Sequence, residues 1–143
     1  DLENVSTLKG HNRVIWDLSF SPVNRLLASC SADQMIKIWN LAASTCVHTL
    51  EGHAFPVMRV GWINEGLQLV SSSSDGSVAI WNIKKGVQLN SYVCHEDKIW
   101  AMDAHTNKIV TGGADSTINI WRDTTEETKE AELEIKNERM QNE

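Results

Sequence analysis

The sequence predicts an all-β chain, in which a unit of four short antiparallel strands repeats about three times before a short acidic helix at the C-terminal end. Three observations carry that expectation. A motif recurs with a period near 42 residues, most of the six tryptophans recur with it, and the composition changes after Trp121. Gly10-His11 returns as Gly52-His53 and, altered, as Cys94-His95. Each pair is followed by an Asp and then a Trp: Asp33 and Trp39, Asp75 and Trp81, Asp115 and Trp121. The His-to-Trp spacing is 28, 28 and 26 residues, and the Asp-to-Trp spacing is six throughout. A hydroxyl residue (Ser29, Ser71, Thr111) stands four positions before each Asp. A register kept over nearly the whole chain is the mark of stacked repeats.

Local patterning makes each unit β. Residues 14–20 and 57–63 are apolar-rich with alternation and run into the turn residues Ser21-Pro22-Val23-Asn24 and Asn64-Glu65-Gly66. Counting from each His, the fourth residue is Ile15, Val57 or Ile99, the seventh Leu18, Val60 or Met102, and the ninth Phe20, Trp62 or Ala104. Short second strands are expected over 26–29, 69–72 and 109–111, then tight turns at Asp33-Gln34, Asp75-Gly76 and Asp115-Ser116. The third strand sets Ile36 and Ile38, Val78 and Ile80, or Ile118 and Ile120 on one face and the repeated Trp on the other. Large side chains on both faces mean that both faces are covered. Fourth strands are expected at 45–50 and 87–93, and residues 4–9 read as the same strand left from a preceding unit. Four strands per unit at this period point to the blade of a β-propeller.

The Gly-His pair, the hydroxyl, the Asp and the Trp-Asn or Trp-Arg dipeptide resemble the WD40 repeat over residues 4–123. Cys94 departs from the Gly of the pattern, and Asn40, Asn82 and Arg122 depart from the Asp of the name-giving dipeptide. The expected organisation is a last strand of a preceding blade at 1–9, repeats at 10–51, 52–93 and 94–123 (the last without its outer strand), and an acidic helical linker or tail at 124–143. This is a partial WD40 β-propeller. Propellers close with about 4 to 8 blades, and three blades leave two apolar faces bare. The expectation is therefore the C-terminal piece of a larger ring, with closure by oligomerisation as the alternative. A last blade lacking its outer strand is how closure by strand exchange would look.

His11, Ser29 and Asp33 hold the ingredients of a hydrolytic triad, but the set occurs three times with a Trp attached, and chemistry needs one pocket. The resemblance implies instead a buried hydrogen-bond chain from Trp indole to Ser or Thr to His to Asp. It would comprise His11, Ser29, Asp33 and Trp39, then His53, Ser71, Asp75 and Trp81, then His95, Thr111, Asp115 and Trp121. Trp62 occupies a core position. Trp16, Met58 and Trp100 share one repeat position, five residues after each His, near the mouth of a propeller channel. They are candidates for partner contact, because Trp is favoured as an interface anchor, although packing around the channel would equally use them.

Composition narrows the function further. The net charge of −6 argues against holding nucleic acid by bulk electrostatics. Residues 124–143 carry −4 of it, with seven Glu and no Gly or Pro, and Thr124 with Glu127 fits a capping box. Three cysteines (Cys30, Cys46, Cys94) without CxxC spacing point to a reducing compartment and against a zinc ribbon. His48 and His105 lack metal-ligand spacing, and Gly112-Gly113 lacks the Lys of a phosphate loop. No catalytic residue, cofactor, metal or small-molecule substrate is expected, nor a membrane span.

Three stretches carry a finer resemblance. They are Gly10-His11-Asn12-Arg13-Val14-Ile15-Trp16 with Phe20-Ser21-Pro22, His95-Glu96-Asp97-Lys98-Ile99-Trp100-Ala101, and Trp121-Arg122-Asp123-Thr124-Thr125-Glu126-Glu127. They are similar to the end of the second propeller in the U3 small nucleolar RNA-associated protein 13, or transducin beta-like protein 3, family. That resemblance implies a scaffold in the UTP-B part of the small-subunit processome. Its partners would be other UTP-B subunits, with U3 snoRNA and pre-rRNA reached through the complex, in the nucleolus. The alternative is a WD40 adaptor of another complex, such as a ubiquitin-ligase substrate receptor or a chromatin reader.

Overall fold

A computed structural model describes residues 1–142, and the side chains of all of them except 125–128. The first sheet holds β1 (Ile15–Phe20), β2 (Leu26–Ser31), β3 (Ile36–Asn40) and β4 (Thr45–Leu50). The second holds β5 (Val57–Ile63), β6 (Gln68–Ser73), β7 (Ser77–Asn82) and β8 (Val87–Val93). The third has three strands, β9 (Ile99–His105), β10 (Lys108–Gly113) and β11 (Ile118–Arg122). In each sheet neighbours in sequence are neighbours in space and pair antiparallel. The innermost strands β1, β5 and β9 pack on one another in that order, so the sheets stack as successive blades.

The alternation decides which face meets which blade. Ala28, Cys30, Ile36, Ile38 and Leu50 of the first sheet are buried against Val60, Trp62, Leu69 and Trp81 of the second. Val70 and Val78 of the second sheet meet Ile99 and Ile109 of the third in the same way. Polar groups tie the first seam: Asp17 Oδ2 accepts the Val60 N–H at 3.1 Å, and Trp62 Nε1 donates to the Ser19 carbonyl at 2.9 Å. The second seam admits a tight fit at Gly61, where an added Cβ would stand 3.2 Å from Ala104.

Ser72 Oγ is the exception to this polar order: among the described residues it is buried without a hydrogen bond. The same repeat position carries Cys30 in the first unit and Gly112 in the third. An orphaned buried hydroxyl costs about 1–3 kcal/mol. Ser72→Ala is therefore expected to raise stability by about 1 kcal/mol in urea melts, and a loss instead would mean that the hydroxyl has a partner.

One expectation needs correction. Residues 4–9 form no strand. A strand there would need an open third-strand edge beside it, and the nearest, on β3, is already taken by β4. The turn at Asn64-Glu65-Gly66 is a short 3-10 turn, with positive φ at all three residues. The acidic tail forms α1 (Thr125–Gln141), in which Leu133, Ile135 and Met140 are exposed, as a helix without an apolar stripe requires. The expected pairing of Thr124 with Glu127 lies outside the described side chains. No helix among the described residues is long and apolar enough to cross a membrane.

Candidate functional site: three polar chains and an exposed tryptophan row

In the first blade Trp39 Nε1 donates to Ser29 Oγ at 2.8 Å, and Ser29 Oγ lies 2.7 Å from His11 Nε2. His11 Nδ1 lies 2.8 Å from Asp33 Oδ2. One tautomer satisfies every atom: Nδ1–H donates to the carboxylate, and Nε2 accepts the serine hydroxyl. The Asp33 carboxylate also accepts the backbone N–H of Asn12 at 3.1 Å and of Met35 at 3.0 Å. The chain therefore pins the loop before β1 to the turn between β2 and β3.

The third blade repeats the arrangement with a hydroxyl added. Trp121 Nε1 donates to Thr111 Oγ1 at 3.1 Å, His95 Nε2 lies 2.8 Å from Thr111 Oγ1, and His95 Nδ1 lies 2.9 Å from Asp115 Oδ2. Thr117 donates to Asp115 Oδ1 at 2.7 Å through its hydroxyl and at 3.1 Å through its backbone N–H. In the second blade the last link is absent, contrary to the expected chain. Trp81 Nε1 and His53 Nε2 meet Ser71 Oγ at 2.8 and 2.6 Å. Asp75 instead takes the Ser77 hydroxyl at 2.6 Å and the Ser77 N–H at 3.0 Å, and reaches His53 only through its charge. Ser77 and Thr117 stand two residues after their Asp, where the first unit has Met35. That signal was present in the sequence, and it marks hydroxyls that compete for the carboxylate.

These environments set the acid–base behaviour. Burial pushes the Asp33 carboxyl up, but hydrogen bonds from His11, Asn12 and Met35 outweigh it and leave it below its ordinary value. Asp75 is lowered in the same balance, with Ser77 and Ser73 as the donors. The Thr117 hydroxyl, above all, holds Asp115 down at about 2. Burial lowers His53, and it lifts the thiols of Cys30 to about 12 and Cys94 to about 11, so neither supplies a thiolate.

Stability should therefore fall in two stages on acidification. Below about pH 6.5, where an unfolded His takes up its proton, buried His53 lags, so the unfolded chain binds more protons and gains. Below about pH 4 the unfolded carboxyls protonate first; the contribution of Asp33 and Asp75 is lost as pH falls through their lowered values, and that of Asp115 as it falls toward about 2. Melting temperature against pH checks this. His53→Gln should flatten the first decline and leave the second.

The wiring of Ser29, His11 and Asp33 matches that of a triad, yet the residues whose oxygen would attack are buried: Ser29 is 1% exposed, and Ser71 and Thr111 are 0% exposed. Each also carries a Trp N–H. A reacting carbonyl cannot reach it, so the geometry suits support rather than nucleophilic chemistry. Among the described residues no cluster of His, Cys, Asp and Glu has a geometry to hold a metal.

The accessible chemistry lies elsewhere. Trp16 and Trp100, on β1 and β9, are 44% and 49% exposed. Met58, their counterpart on β5, is 4% exposed, which corrects its assignment as a partner contact: β5 is flanked on both sides by other blades. Two cations, Arg59 on β5 and Lys98 just before β9, join the row. Lys98 Nζ stands 5.8 Å from the centre of the Trp100 ring. Arg59 donates from Nη1 to the carbonyls of Met58 at 2.9 Å and Trp16 at 3.4 Å. The row is thus aromatic with positive edges.

The family model described as "WD domain, G-beta repeat" matches residues 2–40, 44–82 and 86–122. Similar curated proteins are of several kinds. Nuclear distribution protein nudF 1 of Talaromyces marneffei is 35% identical over 63 residues, 44% of this chain and 12% of that protein. Striatin-4 of Mus musculus is 41% identical over 54 residues, 34% of this chain and 7% of that protein. Eukaryotic translation initiation factor 3 subunit I of Pyricularia oryzae is 37% identical over 49 residues, 34% of this chain and 14% of that protein. The matches thus span a small part of each relative. What they share with this chain is the repeat, and the chain belongs to the WD40 family, whose domains mediate protein–protein interactions as generally non-catalytic scaffolds.

Proposed function

We propose that the chain is a non-catalytic scaffold of the small-subunit processome, in its UTP-B part, supporting U3-dependent pre-rRNA processing and 18S rRNA maturation in the nucleolus. The observation that carries this reading is the stretch His95–Ala101, His-Glu-Asp-Lys-Ile-Trp-Ala, with its counterparts at Gly10–Trp16 and after Trp121. Physical features are compatible with it. The polar chains are consumed in bracing each blade internally, and the blades present Trp16 and Trp100 beside Arg59 and Lys98. An aromatic, cation-edged row suits docking on protein surfaces. The net charge of −6 suits reaching U3 snoRNA and pre-rRNA through other UTP-B subunits.

Affinity purification of the tagged full-length protein tests this reading. Recovery of U3 RNA with other processome subunits at moderate salt is expected. An eluate with a ubiquitin ligase or a chromatin complex and no U3 would move the chain to the adaptor reading. Trp16→Ala with Trp100→Ala should cut partner recovery at least tenfold while leaving the melting temperature within a few degrees, since both rings are about half exposed. A parallel loss of fold and partner would make them packing residues.

A further inference from the structure

β8 is the outer strand of the middle blade, with the first and third blades on either side. It pairs with β7 alone, and all seven of its residues, Val-Gln-Leu-Asn-Ser-Tyr-Val, are exposed. Edge strands are ordinarily guarded by Lys, Pro, an inward charge or a bulge. β8 has no charge, no Pro and no Gly, the make-up of a segment that pairs readily with another strand. A bulge opposite Ile80 and Trp81 twists its first half, while the ladder from Asn90 to Val93 is regular.

The ladder decides which backbone groups of that second half are free. The Cys94 N–H donates to the Gly76 carbonyl at 2.9 Å, one step past the pair of Ser77 with Val93. Alternation along an antiparallel ladder then aims Tyr92 at β7 and turns the N–H and C=O of Ser91 and Val93 outward. The flanking charges are complementary to each other. Lys84-Lys85 precede the strand and Glu96-Asp97 follow it, and all four are exposed. Lys85 stands six residues before Ser91 and Asp97 six after it. An antiparallel strand of the same sequence therefore sets base against acid at both ends. Lys98 is drawn away over the Trp100 ring, 5.8 Å from its centre. β4, the outer strand of the first blade, has no such symmetry: Glu51 follows it, but Leu41-Ala42-Ala43-Ser44 precede it.

We propose that β8 is a self-association edge, on which a second copy of this chain adds its own β8 antiparallel about a two-fold axis at Ser91. Ser91 of each copy exchanges N–H and C=O with Ser91 of the other, and the two middle sheets become one. Lys84-Lys85 of each copy face Glu96-Asp97 of the other, so the charges set the orientation twice over. A contact of this isologous kind closes at two copies and leaves neither β8 edge open.

The test is the solution mass of the intact chain by light scattering, with three variants. Ser91→Pro removes an N–H that β7 does not use, so the blade is kept and only the added pairing is lost. A second variant carries Lys84→Glu and Lys85→Glu. The third carries Glu96→Lys and Asp97→Asn, which keeps the oxygen that accepts the Lys98 N–H. The expected masses are two chains for the parent and one chain for each variant alone. An equimolar mixture of the two charge variants should return to two chains, one of each, because base again meets acid at both ends. Amide exchange at Ser91 and Val93 should slow as the parent pairs. A parent with the mass of one chain would overturn the proposal. So would a mass of any size that Ser91→Pro leaves unchanged, a mixture that stays at one chain, or Ser91 and Val93 amides that exchange freely in the paired parent.

Discussion

Trp81→Ala is expected to lower the unfolding free energy by about 3–5 kcal/mol, as truncation of a fully buried large aromatic does. Trp81 is 1% exposed and lies in the seam between the first two blades. Its loss opens a cavity there and takes the indole donor from Ser71 Oγ, 2.8 Å away. Two features hold the ring in place. Gly52 approaches so closely that a Cβ would stand 2.9 Å from the ring edge, and Gln88 pairs with Trp81 across β7 and β8. Neither exists for Trp121. Cys94 fills the position of Gly52, β11 has no fourth strand, the bond to Thr111 lengthens to 3.1 Å, and the ring is 37% exposed. Trp121→Ala should therefore cost about half as much, near 2 kcal/mol. Urea melts of the two variants decide it, and equal losses would mean that the repeat position, not its surroundings, sets the energy.

That contrast also marks what the sequence could carry. The ladder order, the fourth strands at 45–50 and 87–93, and the facing of Ile36 and Ile38 against Trp39 all follow from alternation and period, which are properties of one blade. Exposure of Met58 against Trp16 and Trp100 follows from how many neighbours a blade has, which no single repeat encodes. Residues 4–9 carry a strand's pattern, but a ladder needs a partner edge, and none is within reach in one copy. The broken link between His53 and Asp75 has another origin. Ser77 holds the Asp75 carboxylate at 2.6 Å, yet Thr117 holds Asp115 at 2.7 Å while His95 keeps its bond there at 2.9 Å, so a local hydroxyl permits the break without forcing it. The Ser71, His53 and Trp81 part of the chain survives because all three are fixed by strands or by a tight loop.

Gly76→Ala should be nearly as damaging, although it adds a single methyl. Gly76 turns the corner between β6 and β7 at φ +85°, as Gln34 and Ser116 do at +72° and +66° in their blades. Left-handed backbone at a residue with a Cβ costs about 1–2 kcal/mol, so the other two blades tolerate it. The middle blade cannot, because a Cβ at residue 76 would collide with the His95 carbonyl oxygen and stand 2.8 Å from that of Asp97. The contact is a hinge of the second seam: the Gly76 carbonyl accepts the N–H of Cys94 at 2.9 Å and of His95 at 3.1 Å. Forcing these loops apart adds about 1–3 kcal/mol of overpacking, for a total near 2–5. It should also pull His95 from Asp115 and Thr111, so the damage spreads to the third blade. Hydrogen exchange separates the routes. Faster exchange confined to the 74–77 turn would reduce the effect to backbone strain, while faster exchange through β9 to β11 would show that this approach holds the third blade in place.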